Sequence, residues 1–358
     1  MAQPLFLNDL HRKAGASLAE WQGWIVPKRF NDPDHEYRAV RQQAGLIDGS
    51  MLGLIEVGGA ERGTFLHNIL TNDIKSLAPG SGCQAGLVTA SAKLLADLLV
   101  LADEERHWLL VQRSRAEVVL KTLERYLITE DVALRDHTQT SVLLALQGST
   151  SIATLSRALG TPITFHQALD HRVVTLESVP IRAIAYSLTG EPGVLLAVVA
   201  ENAAWLWERL RRHGAQPVGW EALNVLRIEA GLPWDGLDMD ETTLLPETGL
   251  EERLVSYTKG CYVGQEIIAR LQTYGSVSRK LMGLVFEGQE MPQAHDPITQ
   301  AGEHIGEITS ACFSPALNRP IAMGYVKRPF YEVGTAVTVM RGEHTLAATL
   351  VKRPFVQK

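Results

Sequence analysis

The chain has 358 residues, 46% hydrophobic and 21% charged. That is ordinary globular composition, long enough for two or three domains, and it excludes a disordered or collagen-like chain. Lys+Arg is 34 against Asp+Glu 40, a net charge of −6, which argues against a nucleic-acid partner but allows a basic patch around a small anion.

Residues 33–44 read as an early helix with Gly45 after it. Residues 53–57, 97–102 and 108–112 read as strands. Ser114 and Glu117 have capping-box spacing, and Val119, Leu120, Leu123 and Leu127 follow at helical intervals. A strand at 141–147 precedes a helix capped by Ser149 or Thr150. That helix carries Ile152, Leu155 and Leu159 and is stopped by Gly160 and Pro162. Strands at 172–177, 182–187 and 194–199 come next. Asn202 opens a helix through Leu210 that Gly214 stops, and 220–230 is another, closed by Gly231 and Pro233.

After Ser278 the texture changes. Residues 281–286, 304–309, 322–326, 336–340 and 345–351 are short strands between Gly/Pro turns, the pattern of a small β-barrel or sandwich. The domains expected are therefore an α+β region, 1–278, and a C-terminal β domain, 279–358.

The three cysteines, Cys83, Cys261 and Cys312, are odd in number and widely spaced, so no disulfide framework is expected. No basic, apolar leader opens the sequence, and no apolar run approaches the roughly 20 residues of a bilayer span. The expected protein is cytoplasmic, with no membrane partner. There is no Walker A, no complete G-x-G-x-x-G, no C-x-x-C, no H-E-x-x-H and no G-x-S-x-G. His166 and His171 are five apart, on different faces if the segment is helical, so no metal site is expected.

The densest chemical signal is Lys259-Gly260-Cys261-Tyr262-Val263-Gly264-Gln265-Glu266. Two glycines flank a thiol, and Gly264 is placed to open a helix through Leu271. A cysteine before a helix N-terminus, with Lys259 two residues upstream, is placed for thiolate character. Gln265 and Glu266 are polar anchors in the first turn. The alternative is a half-buried packing cysteine in a Gly-rich loop. Cys83 and Cys312 read as structural.

This octapeptide resembles the K-G-C-Y-x-G-Q-E signature of the YgfZ group of folate-binding proteins, which assist iron–sulfur cluster assembly or repair. Leu226-Arg227-Ile228-Glu229-Ala230-Gly231 resembles the L-R-x-E-x-G helix that this group shares with the aminomethyltransferase (T-protein, GcvT) of the glycine cleavage system. Weaker similarities run in order along the chain. They are Gly23-Trp24, 35–48, Phe65-Leu66, Thr71-Asn72-Asp73, Thr189-Gly190-Glu191-Pro192-Gly193, and the barrel segments 306–310, Ser314-Pro315 and 321–326. The resemblance implies a three-lobed cloverleaf with a central folate cavity, two intertwined α+β lobes and a C-terminal β-barrel.

It also implies roles. Glu191 matches the carboxylate that accepts the pterin N–H edge, although by itself it reads as a solvated turn residue. Asp97 matches the aspartate facing the reactive folate nitrogens, or is a satisfied strand-end carboxylate. Arg227 matches the family's helix arginine, orienting a carboxylate or the folate tail, or pairing with Glu229 or Asp97. The implied cofactor is tetrahydrofolate or another folate, and the implied partners are iron–sulfur proteins or their assembly factors. On this reading Cys261 is the functional thiol. The alternative is a tetrahydrofolate-dependent aminomethyltransferase or demethylase, with Asp97 tuning the folate nitrogens. The chain departs from the T-protein pattern at Ala92-Lys93, Ala96, Val194-Leu195, Ala222-Leu223-Asn224 and Asp48-Gly49-Ser50-Met51.

Overall fold

A computed structural model describes residues 2–357, the side chain of Tyr274 excepted. The chain forms two contact units. One comprises Met1–Leu87, Leu95–Leu223 and Arg253–Val263; the other comprises Val88–Leu94, Asn224–Glu252 and Gly264–Lys358.

The first unit is mixed α and β. One sheet runs in the order Gly82–Val88, Leu94–Ala102, His107–Gln112, Leu52–Gly58, Ala133–Asp136. The helices Arg62–Ile69 and Ala116–Tyr126 supply Phe65, Leu66, Val119 and Leu123 to a core with Ile55, Val100 and Leu109. A second sheet runs His171–Leu176, Val179–Ala185, Gly193–Val199, Ser141–Gln147, Gly45–Asp48, Gln216–Pro217. Its central strand, Ser141–Gln147, is apolar at nearly every position because both its faces are covered. Leu155 and Ala158 of helix Ser151–Leu159 and Leu206, Trp207 and Leu210 of helix Ala200–Arg212 pack on this sheet. A three-stranded sheet is built from Gln3–Pro4, Trp24–Arg29 and Ser17–Trp21.

The second unit holds a closed six-strand barrel in the order Arg279–Phe286, Arg319–Lys327, Glu303–Ser314, Pro297–Gln300, Ala336–Arg341, His344–Val351. Leu284, Phe286, Ile298, Ile308, Val326, Val339 and Leu350 fill it. Ile228, from the helix Trp220–Glu229, packs outside the barrel against Leu281, Cys312, Ile321, Met323 and Tyr325. For that reason the contact units do not divide at 278/279. The barrel shares its unit with 88–94, 224–252 and 264–278.

The expected mixed fold with a C-terminal barrel is present, and details differ. The Ser114–Glu117 capping box does not form. A 3-10 turn, Arg113–Arg115, precedes helix Ala116–Tyr126, and the Ser114 hydroxyl meets Gln22 at 3.3 Å. Neither Ser149 nor Thr150 provides a side-chain cap to Ser151–Leu159, whose C-terminal Gly160 does adopt φ 72°. The short barrel strand Pro297–Gln300 carries too little pattern to be read from sequence. His171 opens a strand, so the helix-face comparison with His166 does not apply. No described helix is long and apolar enough to cross a membrane.

Candidate functional site

Sheet register explains how Glu191 meets a residue 150 positions away. Gln147, at the end of the central strand Ser141–Gln147, is paired with Gly45 on one side and Gly193 on the other. The chain just before Gly45 leaves the helix Pro33–Gln42, and the chain just before Gly193 is the Thr189–Glu191 turn. The two segments therefore emerge at one level of the sheet, about 10 Å apart at two strand spacings. Backbone bonds stitch them further: Gly148 N–H to the Pro192 carbonyl at 2.7 Å and Thr150 N–H to the Gln43 carbonyl at 2.9 Å.

Across this gap Arg41 Nη1 donates to Glu191 Oε1 at 2.7 Å. Glu191 is 6% exposed. It is thus not the solvated turn residue that its local sequence suggests. A carboxylate removed from water needs a cation or donors, and Arg41 provides both. Arg41 Nε in turn donates to the Tyr37 hydroxyl at 3.0 Å, one helical turn back.

Asp97 lies half-buried on the strand Leu94–Ala102 between buried Ala96 and Leu98. It acts electrostatically on the Tyr186 phenol. Burial first, and Asp97 second, push that phenol up to about 12, against the opposing Arg253. Tyr186 is therefore protonated at neutral pH. Its hydroxyl also meets Gln84 Nε2 at 3.1 Å. Tyr186 N–H closes the turn by donating to the Gly193 carbonyl at 3.0 Å, so one loop presents both Tyr186 and Glu191. Asn72 supports this neighbourhood, donating to the carbonyls of Gln84 at 2.7 Å and Arg253 at 3.1 Å.

Arg227 belongs to the second unit. It is 1% exposed, and its ion-pair partner is Asp238, at 2.7 Å. Nε donates to Asn224 Oδ1 at 2.9 Å, Nη2 to the Ser310 hydroxyl at 2.8 Å and Nη1 also to the Leu232 carbonyl at 3.2 Å. Glu229, a partner the sequence offered, instead accepts from Ser314 and from the Ala316 N–H. The arginine thus ties the Trp220–Glu229 helix to the barrel strand Glu303–Ser314.

Cys261 is exposed. The hydrogen bonds of Lys259 go to backbone carbonyls. Its buried ammonium donates to the carbonyls of His67, Leu70 at 2.6 Å and Asn72 at 2.9 Å, around the C-terminal end of helix Arg62–Ile69. It also lies 4.8 Å from the centre of the Tyr262 ring. A buried cation needs this replacement solvation, and a helix C-terminus provides it. Burial lowers the amine to about 8, opposed by Asp73 and Cys83. Tyr262 is buried and its phenol is raised to about 12, chiefly by burial. Gly260 is exposed with open space around it, so no close approach demands glycine there. Gly264 caps the helix Gln265–Tyr274 with φ 80°, and Glu266 is exposed in its first turn beside half-buried Gln265. Burial pushes the Cys83 thiol up to about 12 and raises Cys312 as well. Among the described residues no group of three or more His, Cys, Asp or Glu is placed to hold a metal ion.

The sequence did not single out Arg41, Tyr37, Tyr186, Gln84 or Asp238. Tyr37 and Arg41 do stand at i and i+4 on a predicted helix, a spacing at which side chains meet. Nothing local ties them to Glu191.

Comparison with known proteins places these elements. Residues 7–259 match the GCVT N-terminal domain, and residues 279–357 match the glycine cleavage T-protein C-terminal barrel domain. The aminomethyltransferase of Streptomyces avermitilis is 34% identical over 362 residues, covering 98% of this chain and 97% of the relative. The aminomethyltransferase of Symbiobacterium thermophilum is 32% identical, with 98% and 96% covered. The crystal structure of the glycine cleavage system aminomethyltransferase T from Bartonella henselae superposes with a TM-score of 0.91 at 28% identity, covering 99% of this chain and 98% of that one.

Proposed function

Because this chain belongs to the glycine cleavage T-protein (GCVT) family, we propose that it is a tetrahydrofolate-dependent one-carbon transferase of the aminomethyltransferase kind. The observation that carries the reading is the buried Glu191 carboxylate, held by Arg41 at 2.7 Å. A pterin edge offers a ring N–H and an exocyclic amine side by side, a donor pair that a buried carboxylate receives well. Bound tetrahydrofolate would supply the nitrogen that accepts the one-carbon unit. Asp97 would take the proton that this nitrogen loses as its new bond to carbon forms and the carbon's bond to the donor's leaving group breaks. Tyr186 lies within electrostatic reach of Asp97 and is kept protonated, so its phenol adds no second negative charge there. Arg227, engaged with Asp238 and Ser310, serves this reading by fixing its helix on the barrel.

The test is a calorimetric titration with tetrahydrofolate beside a glycine-cleavage transfer assay. Binding with turnover is expected. Glu191→Gln should weaken binding roughly 10- to 100-fold, the effect of one charge-assisted hydrogen-bonded contact. No tetrahydrofolate binding by the wild type overturns the proposal.

The exposure of Cys261 within its octapeptide favours a second reading, a folate-binding protein that supports iron–sulfur cluster assembly or repair. The relatives above lend it no support, because they are named aminomethyltransferases. Folate binding without transfer, together with loss of iron–sulfur enzyme activity in cells carrying Cys261→Ser, would favour it. Full complementation by Cys261→Ser removes it. In either case that variant should unfold within about 0.5 kcal/mol of the wild type, since an exposed Cys→Ser change leaves no cavity.

A further inference from the structure

We propose that Arg41 is the positioning residue for Glu191, setting the orientation in which that carboxylate receives the pterin edge; the inference rests on the folate reading above. A glutamate side chain turns about three bonds, and a receptor for two parallel donors needs its carboxylate plane fixed. Arg41 supplies the constraint through a rigid path. Its Nη1 holds Glu191 Oε1 at 2.7 Å and its Nε donates to the Tyr37 hydroxyl at 3.0 Å, so two edges of one planar guanidinium are engaged. Tyr37 is buried, and its ring centre lies 5.1 Å from the guanidinium carbon.

The helix beneath them is anchored at its start. The Glu36 carboxylate is fully buried and accepts from the N–H groups of Phe30 at 2.6 Å, Asn31 at 2.7 Å and Gly219 at 2.7 Å. Asp32 caps the same helix through the Asp34 N–H at 2.9 Å. At its far end the pairing of Gly45 and Gly193 with Gln147 brings the segments carrying Arg41 and Glu191 to the same end of the sheet's strands. Gly148 allows this closeness: at φ 125° a Cβ there would meet the Gln43 carbonyl oxygen at 2.5 Å. Sheet register and helix anchoring therefore bring the two side chains within reach of each other.

The test is a double-mutant cycle read as tetrahydrofolate affinity by calorimetry, with melting temperature followed in parallel. Arg41→Gln and Glu191→Gln should each weaken binding roughly 10-fold or more. In the Glu191→Gln background, Arg41→Gln should cost little further, because Arg41 acts through that carboxylate. Arg41→Lys should recover part of the loss, since it restores charge without the fork. If Arg41→Gln fails to fold, Tyr37→Phe removes one hydroxyl from the same path and should weaken binding by a few-fold. Wild-type affinity in Arg41→Gln, or in Tyr37→Phe where only that variant folds, overturns the proposal. So does an Arg41 cost that is equal in both backgrounds. Absence of binding by the wild type overturns the folate reading itself, an outcome distinct from these.

Discussion

Arg227 Nη1 lies 2.7 Å from Asp238 Oδ2, with both side chains shut off from solvent at 1% and 0% exposure. The Asp238 carboxylate also accepts from the Trp234 N–H at 3.0 Å and the Thr309 hydroxyl at 2.5 Å. Removing one partner strands the other as a buried charge, which costs about 3–5 kcal/mol. Asp238→Asn should therefore lower the unfolding free energy by that order in urea titration. A loss below about 1 kcal/mol would show that Asn224, Ser310 and the Leu232 carbonyl suffice to hold the guanidinium.

His107 sets an acid limit. Its ring is buried, and burial, with Arg62 adding to it, lowers its pKa to about 4. In the unfolded chain the ring titrates near its ordinary 6.5. Between those values the unfolded state binds a proton that the folded state does not. Stability is then full above about pH 6.5 and falls as pH drops towards 4, by about 3 kcal/mol at most. His171, also lowered mainly by burial, acts in the same direction. Denaturant melts between pH 4 and 7 should show a shallower fall in His107→Gln than in the wild type. Identical slopes would contradict the assignment.

Lys259 acts in the same direction at higher pH. Its folded-state value near 8 lies below the ordinary 10.5, so the unfolded chain binds the extra proton between them. Stability from this group should rise as pH climbs from about 8 towards 10.5, because the ammonium, still the main form at pH 7, is held less favourably in the fold than in the unfolded chain. Lys259→Met should lack the rise, as measured by unfolding between pH 7.5 and 9.5. It should also be less stable at pH 7, because the carbonyls of His67, Leu70 and Asn72 lose their donor.

Gly264 admits no side chain. Its φ is 80°, and an added Cβ would lie 2.7 Å from the Thr89 carbonyl oxygen and 2.9 Å from Val88 Cγ2. Gly264→Ala should destabilise by about 1–3 kcal/mol, combining left-handed strain with a backbone clash. Gly260→Ala, with open space around it, should change stability by less than about 1 kcal/mol. Thermal melts of the two variants test the contrast.

Much of the fold was legible because its signals are local. Period-two and period-3.6 patterns placed Ser141–Gln147, Trp220–Glu229 and most barrel strands to within a few residues. Gly160 and Gly231, at φ 72° and 65°, ended their helices where a left-handed residue was needed. The capping-box spacing at Ser114 does not become a cap because the 3-10 turn Arg113–Arg115 occupies that position and moves the helix start to Ala116.

The site divided differently. Residue identity alone settled that Glu191, Asp97 and Cys261 are a carboxylate, a carboxylate and a thiol in motif settings. Tertiary structure decided their partners. Glu191 became a buried, arginine-held group because the register Gly45–Gln147–Gly193 carries position 41 to position 191. Lys259 turned away from solvent because the carbonyls at the end of helix Arg62–Ile69 solvate a cation that its neighbours in sequence do not. Arg227 found Asp238 eleven positions on and Ser310 on a barrel strand, not its near neighbour Glu229. Helices, strands and turns depend on residues a few positions apart, which the sequence displays directly. Ion pairs depend on which segments a sheet lays side by side, and that register is set by the whole core at once.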